Sequence, residues 1–362
     1  MTAAPWILAI DFGTSFTVAA VKVGDRRAEV VEIGGERRMP SIVMTEDDGN
    51  LVVGRVAEHL AATNPSRTLR APKSRLGDQA PVVLAGKPHQ IADLVAGLLR
   101  YVYTEVTRQM GGEPSEVRLT HPAAWNRPRL NRLLEAAAKA GLSNVSLVPE
   151  PVGAALFYAS EIGVPAGAHV AVYDLGGGTF DSAVVTSTGS GFTIIGRPGG
   201  DQTIGGELFD ELLFNHIGER LPADAWYEIQ VGEDPDWQQA AAALRNEVRR
   251  AKEALSSHPY AGLLVALPDG LEQLRITVDE YEQLITPYVD ETITQLARTV
   301  ENAGLATADL EAIYLVGGAS RAPIVERAVT NRYPGVTVSR RGDPKTSVVL
   351  GAATAVQLGT PS

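Results

Sequence analysis

Two stretches of the chain alternate between apolar runs and glycine turns in the same way. WILAIDFGTSFTVAAVKV (6–23) is an apolar run broken by a glycine turn, which predicts a strand, a tight turn and a second strand. HVAVYDLGGGTFDSAVVTS (169–187) repeats this pattern with three consecutive glycines, and an aspartate ends the first strand of each hairpin (Asp11, Asp174). Glycine weakens a strand because it has no side chain to pack, so these turns predict that something approaches the backbone closely.

Each hairpin is followed, after an insertion, by a second series that the two halves also share. Residues 117–159 and 312–356 each predict a strand, a loop, a proline-led helix, a short strand and a helix of small residues opened by an acid–proline pair. Glycine and alanine in VGAAL and LGAAT predict that each of these last helices lies close to its neighbour. Four landmarks in the same order indicate a duplicated α/β frame. The prolines are Pro128 and Pro323, and the acid–proline pairs are Glu150-Pro151 and Asp343-Pro344.

Two insertions interrupt this frame. The first is mixed and rich in proline and glycine, and the second contains a loop at 232–236, a helical pattern at 237–257 and two strand-like segments, LLVALP and EQLRITV. We therefore expect two α/β lobes, each a mixed sheet flanked by helices and carrying a smaller subdomain, with ligands bound in the cleft between them. The expected divisions are lobe I core 1–35 and 93–165, lobe I insertion 36–92, lobe II core 166–204 and 280–358, lobe II insertion 205–279, and tail 359–362.

Composition narrows the function classes. The chain has 362 residues, too many for one ordinary core, and its formal net charge of -11 argues against nucleic acid or an anionic membrane as a partner. No cysteine is present, which excludes disulfides, cysteine nucleophiles and thiolate metal sites and fits a cytoplasmic protein. The first residues lack the basic region of a signal peptide, and no apolar run approaches the roughly 20 residues that span a bilayer.

The glycine turns and their aspartates predict a phosphate site. If the two hairpins face each other across the cleft, glycine lets backbone N–H groups converge on a phosphate without obstruction. Asp11 and Asp174 would then hold a divalent cation between them, through its water ligands as Mg²⁺ prefers. The residues therefore predict a magnesium-bound triphosphate gripped from both sides.

These motifs resemble, in order, those of the nucleotide-binding domain of the DnaK-type heat shock protein 70 chaperones. AIDFGTSFT and YDLGGGTFD are similar to the two phosphate loops of that family, and LRAPKSRLGD resembles the stretch around its catalytic lysine. The resemblance runs from about Ile7 to Leu358 and implies a duplicated actin-like (ribonuclease H-like) ATPase fold, with the nucleotide state controlling lobe closure. Further segments similar to the family are VPEPVGAALFYA, IGGELFD, YLVGGASRAPIV and DPKTSVVLGAA.

The resemblance also implies the site residues of a slow ATPase. Lys73 would reach the γ-phosphate, Glu150 would orient the attacking water and Asp181 would accept a proton, with Asp174 and Thr179 completing the catalytic set. Mg²⁺, with K⁺ as a second candidate cation, would lie at Asp11 and Asp174. The residues implied to contact ATP or ADP are Thr14, Ser15, Gly176, Gly177, Gly178 and Thr179 at the phosphates, Lys252, Ser256, Gly317, Gly318 and Arg321 at the nucleoside, and also Asp11, Gly13, Gly205, Gly206 and Glu207.

Simpler interpretations of these residues stay open at this point. Lys73 could be a surface lysine in a basic loop, Glu150 an acid favoured at a helix start, and Arg321 a helix-start arginine in solvent. The sequence also departs from the family at the nucleoside end, which leaves the preference for adenine over guanine open. The departures are Glu253 at the second adenine-stacking arginine, and Arg249, Leu208 and Lys345 at three acids.

Three function classes follow: a DnaK-like chaperone ATPase domain, a small-molecule kinase of the same superfamily, and a filament-forming scaffold. A nucleotide sensor with little hydrolysis is a variant of the first. The motif set favours the chaperone class, because a kinase needs a sugar-contacting base for which the sequence offers no convincing candidate. Full-length chaperones continue into a peptide-binding module, whereas this sequence ends at QLGTPS, so we expect either a fragment or a member without that module. Co-chaperones are the other expected partners besides nucleotide.

Overall fold

A computed structural model describes residues 4–61, 63–340, 342–344 and 346–355. The described strands, in chain order, are β1 (Trp6–Phe12), β2 (Phe16–Val23), β3 (Glu29–Val31), β4 (Met39–Pro40), β5 (Ile42–Thr45), β6 (Leu51–Val53), β7 (Thr68–Arg70), β8 (Val82–Leu84), β9 (Lys87–His89), β10 (Glu116–His121), β11 (Val145–Pro149), β12 (His169–Leu175), β13 (Phe180–Ser187), β14 (Phe192–Asp201), β15 (Tyr260–Leu267), β16 (Gly270–Thr277), β17 (Leu310–Val316) and β18 (Thr337–Ser339). The described helices are α1 (Gly54–Ala61), α2 (Ile91–Met110), α3 (Arg127–Ala140), α4 (Glu150–Ile162), α5 (Gly206–Gly218), α6 (Ala223–Val231), α7 (Pro235–Leu255), α8 (Val278–Asn302), α9 (Pro323–Arg332) and α10 (Ser347–Thr354).

Two mixed sheets share one topology. The first has the order β11-β10-β1-β2-β3, with β4 also paired to β2, and the second has the order β18-β17-β12-β13-β14. In each sheet the hairpin strands pair antiparallel, and the first hairpin strand pairs parallel with the strand of the second series. The sequence repeat is therefore a repeat of structure.

Smaller elements surround the cleft. Between β4 and α2 the chain forms the three-stranded sheet β6-β5-β7, the helix α1 and the hairpin β8-β9. In the second half, α5 to α7 precede the hairpin β15-β16, and α7 packs on β15. These elements lie within the two predicted insertions, while the numerical boundaries of cores, insertions and tail stay predictions. Residues 359–362 and Lys345 lie outside the described residues.

Helix α4, which opens with Glu150-Pro151, and helix α10, which follows Asp343-Pro344, lie between the two sheets. Helix α4, which follows the first sheet in sequence, packs on β12 and β13 of the second sheet, and α10 packs on β1 and β2 of the first. Their buried alanines and valines form one apolar cluster with residues of both sheets. The helices also pack closely on each other, and a Cβ at Gly153 would lie only 2.7 Å from the carbonyl oxygen of Val348. The prediction of close approach from glycine and alanine is confirmed.

Two predicted helix starts are wrong. Helix α7 begins at Pro235 rather than at 237, because the Asp234 side chain caps it and proline suits the first turn. Asp343-Pro344 does not open α10, which starts at Ser347. The carbonyl of Asp343 accepts the N–H groups of Thr346 and Ser347, so this segment forms a turn before the helix. Among the described residues, no helix is both long and apolar enough to cross a membrane.

Candidate functional site

The two glycine turns meet between the sheets. The turn after β1 and the turn after β12 approach so closely that a Cβ at Gly178 would lie 2.8 Å from the Thr14 methyl group. A Cβ at Gly177 would collide with the Ser15 hydroxyl. Side chains are therefore excluded at these glycines by the opposite turn itself, and the backbone of both turns faces the same space.

A third segment, at the start of α5, supports the glycine turn after β12. The N–H groups of Gly206 and Glu207, at the start of α5, donate to the carbonyls of Gly176 and Gly177 at 3.0 and 2.7 Å. Gly205 packs against the backbone of the turn, where a Cβ would lie 2.6 Å from the Gly178 carbonyl carbon. These contacts fix the shape of the glycine turn on one side and leave its other side open to the cleft.

A cavity of about 200 Å³ opens above the two turns. It runs from the buried ends of β1 and β12 to the C-terminal end of α7 and the loop after β17. All of the predicted site residues line this cavity except Gly178 and Gly205, which lie behind the turn. The fold therefore brings together predicted site residues that are as far apart in the sequence as Asp11 and Arg321.

Lys73 and Glu150 form a buried ion pair in the floor of the cavity. The Lys73 Nζ donates to Glu150 Oε1 at 2.7 Å, and each residue is only 7% exposed. The interpretation of Lys73 as a surface lysine is thus wrong. Burial would lower the pKa of Lys73, but Glu150, Asp11 and Asp181 together outweigh it and raise that pKa. Burial raises the pKa of Glu150 to about 7, although Lys73 acts to lower it.

Three further carboxyl groups surround this pair. Burial, reinforced by the charges of Glu150, Asp181 and Asp11, raises the pKa of Asp174 well above its ordinary value. Burial also raises the pKa of Asp181. Thr179 Oγ1 donates to Asp181 Oδ2 at 3.0 Å, and the other oxygen, Asp181 Oδ1, is buried without a hydrogen-bond partner in the described part of the chain. A cluster of acids with one lysine repels additional negative charge unless a cation is bound.

The donor set of this cluster fits a magnesium ion. Carboxylate oxygens are the ligands that Mg²⁺ prefers, and the unpartnered Asp181 Oδ1 is an acceptor that a metal-bound water would satisfy. Asp11, whose Oδ1 accepts a hydrogen bond from Thr120 Oγ1 at 2.6 Å, faces Asp174 across the cavity floor. Within the described ranges, no group of three or more histidine and carboxylate side chains meets the spacing of a direct metal site.

A second, very small crevice adjoins the carboxyl cluster. It has a volume of about 10 Å³ and shares Glu150, Asp174 and Asp181 with the main cavity. Its remaining walls come from the loop after β10, from α4 and from β12, β13 and β14, and they include Ala124, which is exposed. One water molecule needs about 10–15 Å³, so the crevice is of water size.

The end of the cavity at which the sequence predicts the nucleoside is lined by charged side chains. Lys252 on α7 donates to the Gly206 carbonyl at 2.6 Å and pairs with Asp210 at 2.7 Å, and burial lowers its pKa. Ser256 at the end of α7 and Gly317 after β17 complete this wall. Arg321, with 43% of its side chain exposed, donates to Asp343 Oδ1 at 2.9 Å.

Two of the departures from the family, Glu253 and Arg249, line this cavity, whereas Leu208 packs on an apolar core cluster and Lys345 lies outside the described residues. Glu253 lines the cavity from α7, so an acid occupies the place of an adenine-stacking cation. Arg249 lies 3.8 Å from Asp210 and 3.9 Å from Glu58 of α1, and so connects the insertions of the two lobes. Asp210 and Arg38 also line the cavity and were not predicted from the sequence. The basic pair Arg37-Arg38 was a signal for Arg38, whereas no signal was found for Asp210.

Comparison with known proteins agrees with this geometry. The family described as Hsp70 protein matches residues 7–85 and 78–361. A chaperone protein DnaK from Methanothermobacter thermautotrophicus is 31% identical over 360 residues, which cover 96% of this chain and 59% of that protein. The chain therefore spans less than two thirds of the length of this relative.

Proposed function

The chain belongs to the Hsp70 family and has its duplicated actin-like fold, and from this premise we propose that it binds magnesium–ATP in the cleft and hydrolyses it slowly. The single observation that carries the proposal is the meeting of two glycine turns from opposite sheets above a buried cluster of carboxylates and one lysine. Few ligands other than a metal-bound polyphosphate fit both features, because glycine backbone attracts phosphate while the acids require a cation.

The two turns bind the phosphate groups. Gly13, Thr14 and Ser15 of the first turn and Gly176, Gly177 and Thr179 of the second line the cavity. The N–H groups of Gly13 and Gly176 already donate to the carbonyls of Phe16 and Thr179 across their turns, so phosphate binding falls to the N–H groups that follow them in each turn. Lys252, Ser256, Gly317 and Arg321 bind the nucleoside at the other end. Glu253 weakens stacking on adenine, so we propose that phosphate contacts supply most of the affinity.

Asp11 and Asp174 hold the magnesium ion through its water ligands. When bound, Mg²⁺ neutralises phosphate charge and favours the ionised form of the neighbouring carboxyl groups. Asp174 responds most to this change, because its pKa is raised chiefly by burial and by the three acids around it. The cluster therefore contains more carboxyl groups than Lys73 can neutralise, and a bound magnesium ion would compensate for the rest.

Hydrolysis depends on Lys73, Glu150 and Asp181. Lys73 shifts from Glu150 towards the γ-phosphate and stabilises the charge that develops on it, which frees Glu150 to orient a water molecule. The water attacks phosphorus, the bond to the ADP oxygen breaks, and Asp181 Oδ1 accepts the proton. In-line attack requires the water opposite the leaving group, and the water-sized crevice beside Glu150 and Asp181 lies away from the phosphate turns.

Lobe closure and partners form the remaining part of the proposal. Ser15 Oγ on the first turn donates to Glu207 Oε1 at the start of α5 at 2.8 Å, so a bound nucleotide would strengthen a contact that already joins the halves. We propose that closure around the nucleotide is the signal that a peptide-binding module or a co-chaperone detects.

Calorimetry of nucleotide binding and single-turnover hydrolysis test the function. We expect wild-type protein to bind magnesium–ATP and magnesium–ADP, and Lys73→Ala to keep binding while hydrolysis falls about 10²- to 10³-fold. Because Lys73→Ala leaves Glu150 buried without its cation, cooperative thermal unfolding of the variant checks that any loss of hydrolysis is not a loss of the fold. Lys139→Ala, which removes a half-exposed ion pair with Asp93, is the matched control. Normal hydrolysis by Lys73→Ala would refute the catalytic assignment, and absence of nucleotide binding by wild type would refute the function.

A further inference from the structure

One basic side chain on the cavity wall differs from the others. Arg38 lines the cavity, but in the residues that the structure describes it has no carboxylate within ion-pair distance. Every other lysine or arginine of the cavity wall is neutralised by an acid. These pairs are Lys73 with Glu150, Lys252 with Asp210, Arg321 with Asp343, and Arg249 with Asp210 and Glu58.

Backbone pairing fixes Arg38 beside the first phosphate turn. Strand β4, which follows Arg38 directly, pairs with the start of β2, where Pro40 is opposite Phe16. Ser41 continues this attachment, since its hydroxyl donates to the Gly13 carbonyl at 2.8 Å and its N–H donates to the Ser15 carbonyl at 2.9 Å. Arg38 is therefore held next to the turn by bonds on its C-terminal side.

The side chain of Arg38 is oriented by an aromatic ring. Its guanidinium carbon lies 5.6 Å from the centroid of the Phe16 ring, and the residue is half-buried. Stacking on a ring leaves the edge of a guanidinium and its N–H donors free to bind an anion. Arg38 also lines the wider outer cleft, so it lies where the cavity opens.

The cavity wall carries an excess of negative charge, so binding of a phosphate there is favoured by a basic side chain that has no acidic partner. The acids that line the cavity outnumber its basic residues, and the basic residues other than Arg38 already have acidic partners. A triphosphate adds further negative charge, which Mg²⁺ only partly neutralises. The acids are Asp11, Glu150, Asp174, Asp181, Glu207, Asp210 and Glu253.

We propose that Arg38 is a phosphate-binding residue that contacts the polyphosphate of a bound nucleotide at the mouth of the cavity. The planar guanidinium donates two N–H groups to two oxygens of the polyphosphate, which a lysine cannot do with the same geometry. The assignment extends the proposed nucleotide site, but it does not depend on recognition of the nucleoside, because the contact is to phosphate alone.

Binding of phosphate probes to Arg38 variants tests this assignment. The probes are magnesium tripolyphosphate, magnesium–ATP, magnesium–ADP and adenosine, measured by calorimetry on wild type, Arg38→Ala and Arg38→Met, the latter keeping the apolar stem against Phe16. A charge-assisted hydrogen bond contributes about 1.5–3 kcal/mol, so we expect roughly 10- to 100-fold weaker binding of tripolyphosphate and ATP. Adenosine affinity should not change, and the salt dependence of ATP binding should become shallower.

The neighbouring Arg37 gives the matched control. Arg37 is exposed and lines only the outer cleft, so Arg37→Ala removes the same charge without the contact. Equal losses in Arg37→Ala and Arg38→Ala, or no loss in either Arg38 variant while thermal unfolding stays cooperative, would overturn the assignment.

The same titrations separate this inference from the proposed function. If wild type binds tripolyphosphate in an Arg38-dependent way but no nucleotide, the function is refuted and the assignment of Arg38 stands. If wild type binds neither probe, both are refuted.

Discussion

At the scale of single residues, the site combines acids that the folded chain holds against their own repulsion. Asp174 is the clearest case, because burial and three neighbouring acids all raise its pKa. Such a residue is unfavourable for stability without ligand and becomes favourable only when a cation is bound.

Replacement of Asp174 by asparagine, its neutral isostere, should therefore raise stability and weaken ligand binding. We expect Asp174→Asn to raise the unfolding midpoint of the ligand-free protein, because it removes a buried like charge. The same variant should weaken magnesium–nucleotide binding by about 10- to 100-fold, as loss of a group that acts on a metal through its waters does. Denaturant unfolding and calorimetry measure the two effects. Unchanged affinity, or a lower midpoint, would contradict the metal role; Asp201→Asn, at a half-exposed acid in β14, is the control.

Residue roles followed from sequence only where a local motif carried them. The glycines and Asp174 lie in one hairpin, so their grouping was visible. The partner of Lys73 is 77 positions away, and the sequence contains nothing that pairs it with Glu150. Arg38 and Asp210 were not predicted as site residues for the same reason, since tertiary packing alone brings them to the cavity.

At the scale of elements, helices α4 and α10 join the halves of the molecule, because each packs on the sheet of the other half. Glycines in α4 and α10 allow the contact: a Cβ at Gly351 would overlap the carbonyl of Gly153. We expect Gly351→Ala to lower the free energy of unfolding by about 1–3 kcal/mol, because an added methyl group in a packed interface forces the helices apart.

Gly262→Ala is the matched control for this prediction. Gly262 lies in β15 with no atom within 4 Å of its added Cβ, so the same substitution meets open space. Urea unfolding of both variants measures the difference. Equal stability of Gly351→Ala and wild type would show that the helices can separate without cost.

Element positions were more predictable than element ends. The duplicated pattern predicted the succession of strands and helices that the two halves share, because similar series of apolar runs and turns fold in the same way. The strand order of the sheets was not predicted. The helix starts at Pro235 and Ser347 were missed, since they depend on which carbonyls and carboxylates accept the first N–H groups. The exchange of α4 and α10 between sheets left no trace in the sequence beyond their small residues.

At the scale of the whole molecule, the buried acids couple folding to pH. Glu150 has an ordinary pKa of 4.5 and a folded-state pKa of about 7, so the folded chain keeps a proton that the unfolded chain loses. The free energy of unfolding should therefore fall as pH rises from about 4.5 to 7. Asp174 and Asp181 act in the same direction, because their pKa values are also raised.

Groups other than Glu150 also contribute to the pH dependence of stability, and their contributions must be separated before the change is assigned to Glu150. Burial lowers the pKa of His121, which makes stability rise with pH up to about 6.5, opposite to the acids. Subtraction of the Glu150→Gln profile from that of wild type cancels His121 and leaves the contribution of Glu150. Glu135→Gln is the control, because the pKa of Glu135 is lowered by Arg132 and the residue stays ionised across the window.

Nucleotide should reverse the pH dependence if the acids serve the proposed site. Magnesium–nucleotide favours the ionised carboxylates, so its stabilising effect should grow as pH rises over the range in which the ligand-free protein weakens. Urea unfolding at intervals of pH, with and without magnesium–ADP, measures both slopes. A difference profile of Glu150→Gln that stays flat in the ligand-free protein would show that Glu150 is ionised when folded. A ligand effect that is independent of pH would show that the cluster and the ligand do not meet.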